Sequence, residues 1–93
     1  MLKARDDIQI PVIVESCKDG KADIFIPDLS LTIHGTDFVD GLAKASLRGS
    51  AIYYYNKERN LPIALNTTYD EAQQICDERF SKNAFVAYVC FTN

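Results

Sequence analysis

Residues 24–45, IFIPDLSLTIHGTDFVDGLAKA, decide the fold. Ala22, Ile24 and Ile26 recur at every second position, the period of a strand with one buried face. Pro27-Asp28 stops that strand, because proline has no N–H to give to a ladder. Leu29, Leu31 and Ile33 then alternate along a further strand that ends at His34. Gly35 closes this strand and Asp37 opens a helix as its cap. Asp40, three residues later, stands in for the usual glutamate of a capping box. Both acids lie at the positive end of the helix dipole. The helix should run to about Lys57, with Phe38, Leu42, Ala45, Gly49 and Ile52 on one buried stripe. Asp40 and Lys44 pair on its outer side at i,i+4.

Upstream, IQIPVIVES at 8–16 alternates Ile8, Ile10, Val12 and Val14 against Gln9, Pro11, Ile13 and Glu15, again a strand. Pro11 must occupy a bulge or an unpaired position in it. Lys18-Asp19-Gly20-Lys21 supplies a tight turn, with Gly20 taking the positive φ. Downstream, NKERNLP is a polar loop ending in Pro62, and Thr68-x-x-Glu71 is a capping box. The helix that it opens turns Ala72, Ile75, Cys76 and Phe80 inward. Ser81-Lys82-Asn83 turns the chain into a last strand, AFVAYVCF at 84–91, apolar on both faces. Such a strand is either central and covered on both sides, or an edge that meets a partner. The order β-β-β-α-α-β predicts one α+β domain of two layers over residues 1–93, an antiparallel sheet with both helices packed on one face.

Composition narrows the function. Ten Lys and Arg against thirteen Asp and Glu give a net charge of −3 and a pI of about 4.9. Nucleic-acid binding is driven largely by basic residues that displace counterions, so this balance opposes it. It suits a basic protein partner. Cys17, Cys76 and Cys90 are odd in number and show no CxxC spacing, which reads as reduced thiols rather than a disulfide or zinc framework. MLKARDDIQI has no apolar core of a leader, and no run approaches a membrane span. The expectation is a soluble cytoplasmic protein.

The residues that carry chemistry form no catalytic set. His34, the lone histidine, stands beside Thr32 on the less buried face of its strand. No nucleophile or orienting acid is dictated for it, so a structural or surface histidine is expected, its functional use, if any, being partner contact rather than catalysis. Asp23, Asp28, Asp37 and Asp40 could in principle hold Mg²⁺, yet each has a local role as strand surface, turn or cap. Gly35, Gly41 and Gly49 lack phosphate-loop spacing. The expectation is therefore no enzyme, no cofactor and no metal. Tyr53-Tyr54-Tyr55 span roughly 200° of helix, so at least one ring must be exposed. Interface contact, plain packing and base stacking all remain open for it.

With these residues placed, the first half of the chain resembles the HicB-like antitoxin domain. Pro11 matches that family's first proline, Gly20 its turn glycine, and Pro27, Asp28 and Leu29 its P-D-L. Gly35 matches the glycine before the helix, Asp37 the cap, Asp40 the acid and Leu42 the leucine. Ile10, Ile26 and Gly41 depart from the usual tyrosine, phenylalanine and alanine, and the glycine–cysteine after P-D-L-P is absent. The resemblance implies a degraded ribonuclease-H-like fold without its carboxylates. It further implies an antitoxin that neutralises a small basic, HicA-like, mRNA-cleaving toxin. Because the chain ends at Asn93 after its last strand, no appended DNA-binding domain is expected.

Thr32, His34, Tyr53, Tyr54 and Tyr55 are the candidate partner-binding residues. The runner-up reading is RNA binding through Lys44, Arg48, Lys57 and Arg59, on or after the long helix. A third reading is a residual nuclease using the aspartates, and under all three the last strand should drive self-association into a dimer or higher homo-oligomer.

Overall fold

Four strands form one antiparallel sheet in the order β3-β2-β1-β4: β1 (Ile8–Ser16), β2 (Ala22–Ile26), β3 (Leu31–Gly35) and β4 (Phe85–Phe91). The computed structural model describes residues 8–92. The leader-free reading of the N-terminus rests largely on residues 1–7, outside the described residues. Helices α1 (Phe38–Glu58) and α2 (Tyr69–Arg79) pack against the sheet, so the α+β class and the order of elements are as expected.

The turns follow their chemistry. Asp19 and Gly20 both have positive φ, 62° and 75°, and the Lys21 N–H donates to the Lys18 carbonyl at 3.3 Å. That is the hand of turn that matches the twist of a hairpin. Pro11 is buried opposite Tyr88, and the β2 ladder starts only at Ile13. Proline's missing donor is therefore not needed on that side.

Leu29 is not a strand residue. Pro27–Leu29 form a 3-10 turn, Ser30 takes the left-handed conformation (φ 49°), and β3 begins at Leu31. Leu29 still packs on the core, which is why its period resembled a strand.

The buried side of α1 also differs from the apolar stripe expected. Gly41, Ala45, Gly49 and Ser50 are buried, whereas Phe38 and Ile52 are exposed. Gly41 abuts the Ile24 side chain and Gly49 abuts the Phe91 ring. Small residues let the helix axis approach the sheet, and the large ones are left at its margins.

The helices do not share a face. Neighbouring rows place Ile10, Val12, Val14, Ile24, Ile33, Val89 and Phe91 together under Ala45 of α1. The opposite face carries Ile13 in register with Phe25 and Val86. There Phe80, at the end of α2, meets Phe25 with ring centroids 5.7 Å apart, and Tyr69 of α2 stacks on Tyr88 at 6.4 Å. The sheet therefore lies between two helices. Ile13, fully buried, explains why a second cover is needed. β4 combines the two alternatives offered for it: it is an edge strand, and it has a helix on each face.

Both caps are present. Asp37 accepts from the Asp40 N–H at 2.7 Å, while the Asp40 carboxylate accepts from the Thr36 N–H at 2.9 Å and meets Lys44 Nζ at 2.9 Å. Thr68 and Glu71 form the reciprocal box. The Thr36 N–H, then Lys44, hold the Asp40 carboxyl below its usual range, and the Thr68 N–H does the same for Glu71. A carboxylate depressed in the folded state stabilises above its unfolded pKa and loses that contribution as pH falls through the folded value. Melting temperature should thus decline below about pH 4. Asp40→Asn and Glu71→Gln should each flatten the decline in pH-dependent melts. Unchanged acid slopes in both variants would contradict the assignment.

Candidate functional site

The alternation of β3 turns Thr32 and His34 outward, on the α2 side of the sheet. Thr32 stands opposite Phe25 and His34 opposite Asp23. His34 Nδ1 lies 2.7 Å from Asp23 Oδ1, and the histidine side chain is 78% exposed, so solvent screens the pair. Cys17 is the other group beside Asp23. Desolvation first, then hydrogen bonding and charge from Asp23, push its thiol pKa up. The acid is the neighbour of both histidine and thiol, whereas nucleophilic catalysis needs the imidazole beside the nucleophile. A protonated thiol next to a carboxylate is a poor nucleophile. Among the described residues no group of three or more His, Cys, Asp or Glu is placed to hold a metal ion.

The three tyrosines separate as three consecutive helical positions must. Tyr53 packs edge-on against Tyr54 at 4.9 Å and lies 6.1 Å from the Phe91 ring; both tyrosines rest on the core. Tyr55 is the exposed one, 59% accessible, with the Arg59 guanidinium 5.3 Å from its ring centroid. The tyrosines therefore sit on the α1 side of the sheet and Thr32 and His34 on the α2 side. They do not converge on one site.

The basic residues of the RNA reading are partly engaged. Lys44 pairs with Asp40, Lys57 Nζ lies 5.9 Å from the Tyr54 ring, and Arg59 covers Tyr55.

The motif residues act as a frame. Asp28 does more than start a turn. Its Oδ1 accepts from the Asn66 N–H (3.2 Å), the Thr67 N–H (3.0 Å) and the Thr67 hydroxyl (2.6 Å), tying the β2–β3 turn to the segment that enters α2. Gly35 lies against the Gly41 backbone, which seats the start of α1 on β3. Leu42 packs on the core beside it.

The charge of α2 belongs to no motif or spacing. Asp70, Glu71, Asp77 and Glu78 are all exposed, against a single Arg79. The sheet face beneath adds Asp23 and Glu15, the latter accepting from the Ser81 N–H at 2.9 Å. The signal was present in YDEAQQICDER, but only the position of α2 over the Asp23 face gathers these acids on one side. Among the described residues no helix is long and apolar enough to cross a membrane. No family model, curated protein or solved structure matches this chain.

Proposed function

We propose that this protein is a binding module of the HicB-like antitoxin type, acting in the cytoplasm. In this reading it neutralises a small basic, HicA-like, mRNA-cleaving toxin by forming a complex with it and catalyses no reaction of its own. The observation that carries the reading is the acidic side formed by α2 and the sheet face with Asp23 and Glu15. Complementary charge of this kind speeds encounter and selects a basic partner. The P-D-L turn, which carries part of the family resemblance, supports it by tethering the segment that enters α2 through Asp28.

The test is co-expression with a HicA-like toxin, a small basic mRNA-cleaving protein. Growth arrest and mRNA cleavage by that protein alone, both relieved by this chain in a stoichiometric complex, are the expected results. Toxicity that persists beside a folded, abundant antitoxin chain would overturn the reading.

A further inference from the structure

We infer that β4 pairs with β4 of a second copy of this chain, about a two-fold axis at Ala87. β4 ends the sheet on its side. In an antiparallel ladder each residue turns its N–H and C=O to one side, and successive residues alternate. The Cys90 carbonyl accepts from the Ser46 hydroxyl of α1, and the Thr92 N–H donates to the Ser50 hydroxyl at 2.9 Å. These groups point away from β1, so those of Val86 and Tyr88 do as well, and Ala84 immediately precedes the strand. The Ala84 N–H donates to the Ser81 carbonyl at 3.0 Å. In-chain bonds thus occupy the Ala84 N–H at one end and the Cys90 carbonyl at the other. Among the described residues, Val86 and Tyr88, between them, have no strand neighbour on that edge.

Those two occupied groups select the register. With Val86 opposite Tyr88 of a second copy, the next pair along is Ala84 opposite Cys90. The Ala84 N–H and the Cys90 carbonyl are the partners that would have met there, and each is already bonded. Sliding the copy by two residues in either direction would set one of them against a free group and leave that group without its bond. The edge therefore complements itself in one arrangement.

The side chains agree. Phe85 would face Val89, and Val86 would face Tyr88, both aromatic–branched pairs that stabilise adjacent strands. Phe85 and Tyr88 are 43% and 48% exposed and would gain cover. Charge identifies the occupant as a copy. Residues 83–93 contain no charged side chain. A chain of net charge −3 meets itself most readily across such a face, and a basic partner finds no acid there. The inference is independent of the toxin-binding reading, which uses the α2 side.

Sedimentation equilibrium tests it on the whole chain. The expected mass is twice the 10.5 kDa of one copy, falling to one copy in Tyr88→Pro. Proline at 88 removes the outward N–H together with the ring that stacks on Tyr69, but no group of the β1 ladder, so circular dichroism should still show the folded strand and helix content. Independently, Ala87→Cys in a Cys17→Ser background should form a disulfide-linked dimer under diamide. Residues facing each other at the axis have Cα atoms about 4.5 Å apart, within disulfide reach. Phe85→Cys, displaced from the axis, should not link. A monomeric wild type, a folded Tyr88→Pro that stays dimeric, or a dimer in which Ala87→Cys does not link would overturn the proposal.

Discussion

Replacing Phe91 by alanine should cost about 3–5 kcal/mol of folding stability, the range for deleting a large buried ring. Phe91 is the largest fully buried side chain and lies between Gly49 of α1 and the Tyr53 ring. It also stands opposite Ile8, at the end of β4 where α1 contributes Ser46 and Ser50 to the backbone. Its loss opens a cavity under the helix, and the neighbouring β1 side chains cannot collapse into it without breaking the register with β4. Urea denaturation should show a lower midpoint with little change in slope. The same ring makes Gly49 sensitive from the other side. A Cβ there would sit well inside contact distance of the ring atoms, so Gly49→Ala should lose about 1–3 kcal/mol by overpacking despite alanine's better helix propensity. The two sites should couple: Phe91→Leu, destabilising alone, should cost less in the Gly49→Ala background. A Phe91→Ala loss below about 1 kcal/mol would mean that this end of the core is not packed as described.

Gly35→Ala is expected to be nearly as severe, about 3 kcal/mol, for a different reason. A Cβ at Gly35 would collide with the Cα and N of Gly41 and the carbonyl of Asp37. These are backbone atoms of the capped first turn, so no rotamer change relieves the clash. α1 must move away from β3, and the Gly41–Ile24 contact goes with it. Thermal melting should show the loss, with the helix content of the folded state retained. A variant as stable as the parent would contradict the close seating of α1 on β3.

Much of this arrangement is legible in the sequence where the cause is local. The caps at Asp37 and Thr68 and the Asp19-Gly20 turn depend on residues within a few positions of one another, and the structure has them as read. The alternation of β3 also places Thr32 and His34 outward. What fails is whatever depends on distant partners. An apolar period in α1 marks Phe38 and Ile52 as buried, but a helix that approaches through Gly41, Ala45 and Gly49 leaves larger residues at its rim. The two apolar faces of β4 indicate that both need cover without saying that α1 and α2 supply one each. The Asp28 tether joins residues 38 and 39 positions apart, so no window of sequence contains it. For the candidate site, exposure of one tyrosine follows from helix geometry. Which one, and that the tyrosines and His34 occupy opposite sides of the sheet, follows only from the packing.

Two surfaces with different chemistry thus adjoin on a small domain: an uncharged strand edge, and an acidic side built from α2 and the Asp23 face, which meet where Tyr69 stacks on Tyr88. The proposed function rests on the second. The most direct test is titration calorimetry with a small basic HicA-like protein, using the parent and the Asp77→Lys/Glu78→Lys variant at low and high salt. Both positions are exposed and lie in the last turn of α2, where lysine suits the helix dipole, so the fold should persist. We expect a stoichiometric complex with the parent that weakens with salt. Affinity should fall at least about tenfold in the variant, with a reduced salt dependence. No binding by the parent, or equal binding by both proteins at every salt concentration, would contradict the acidic side as the site of recognition.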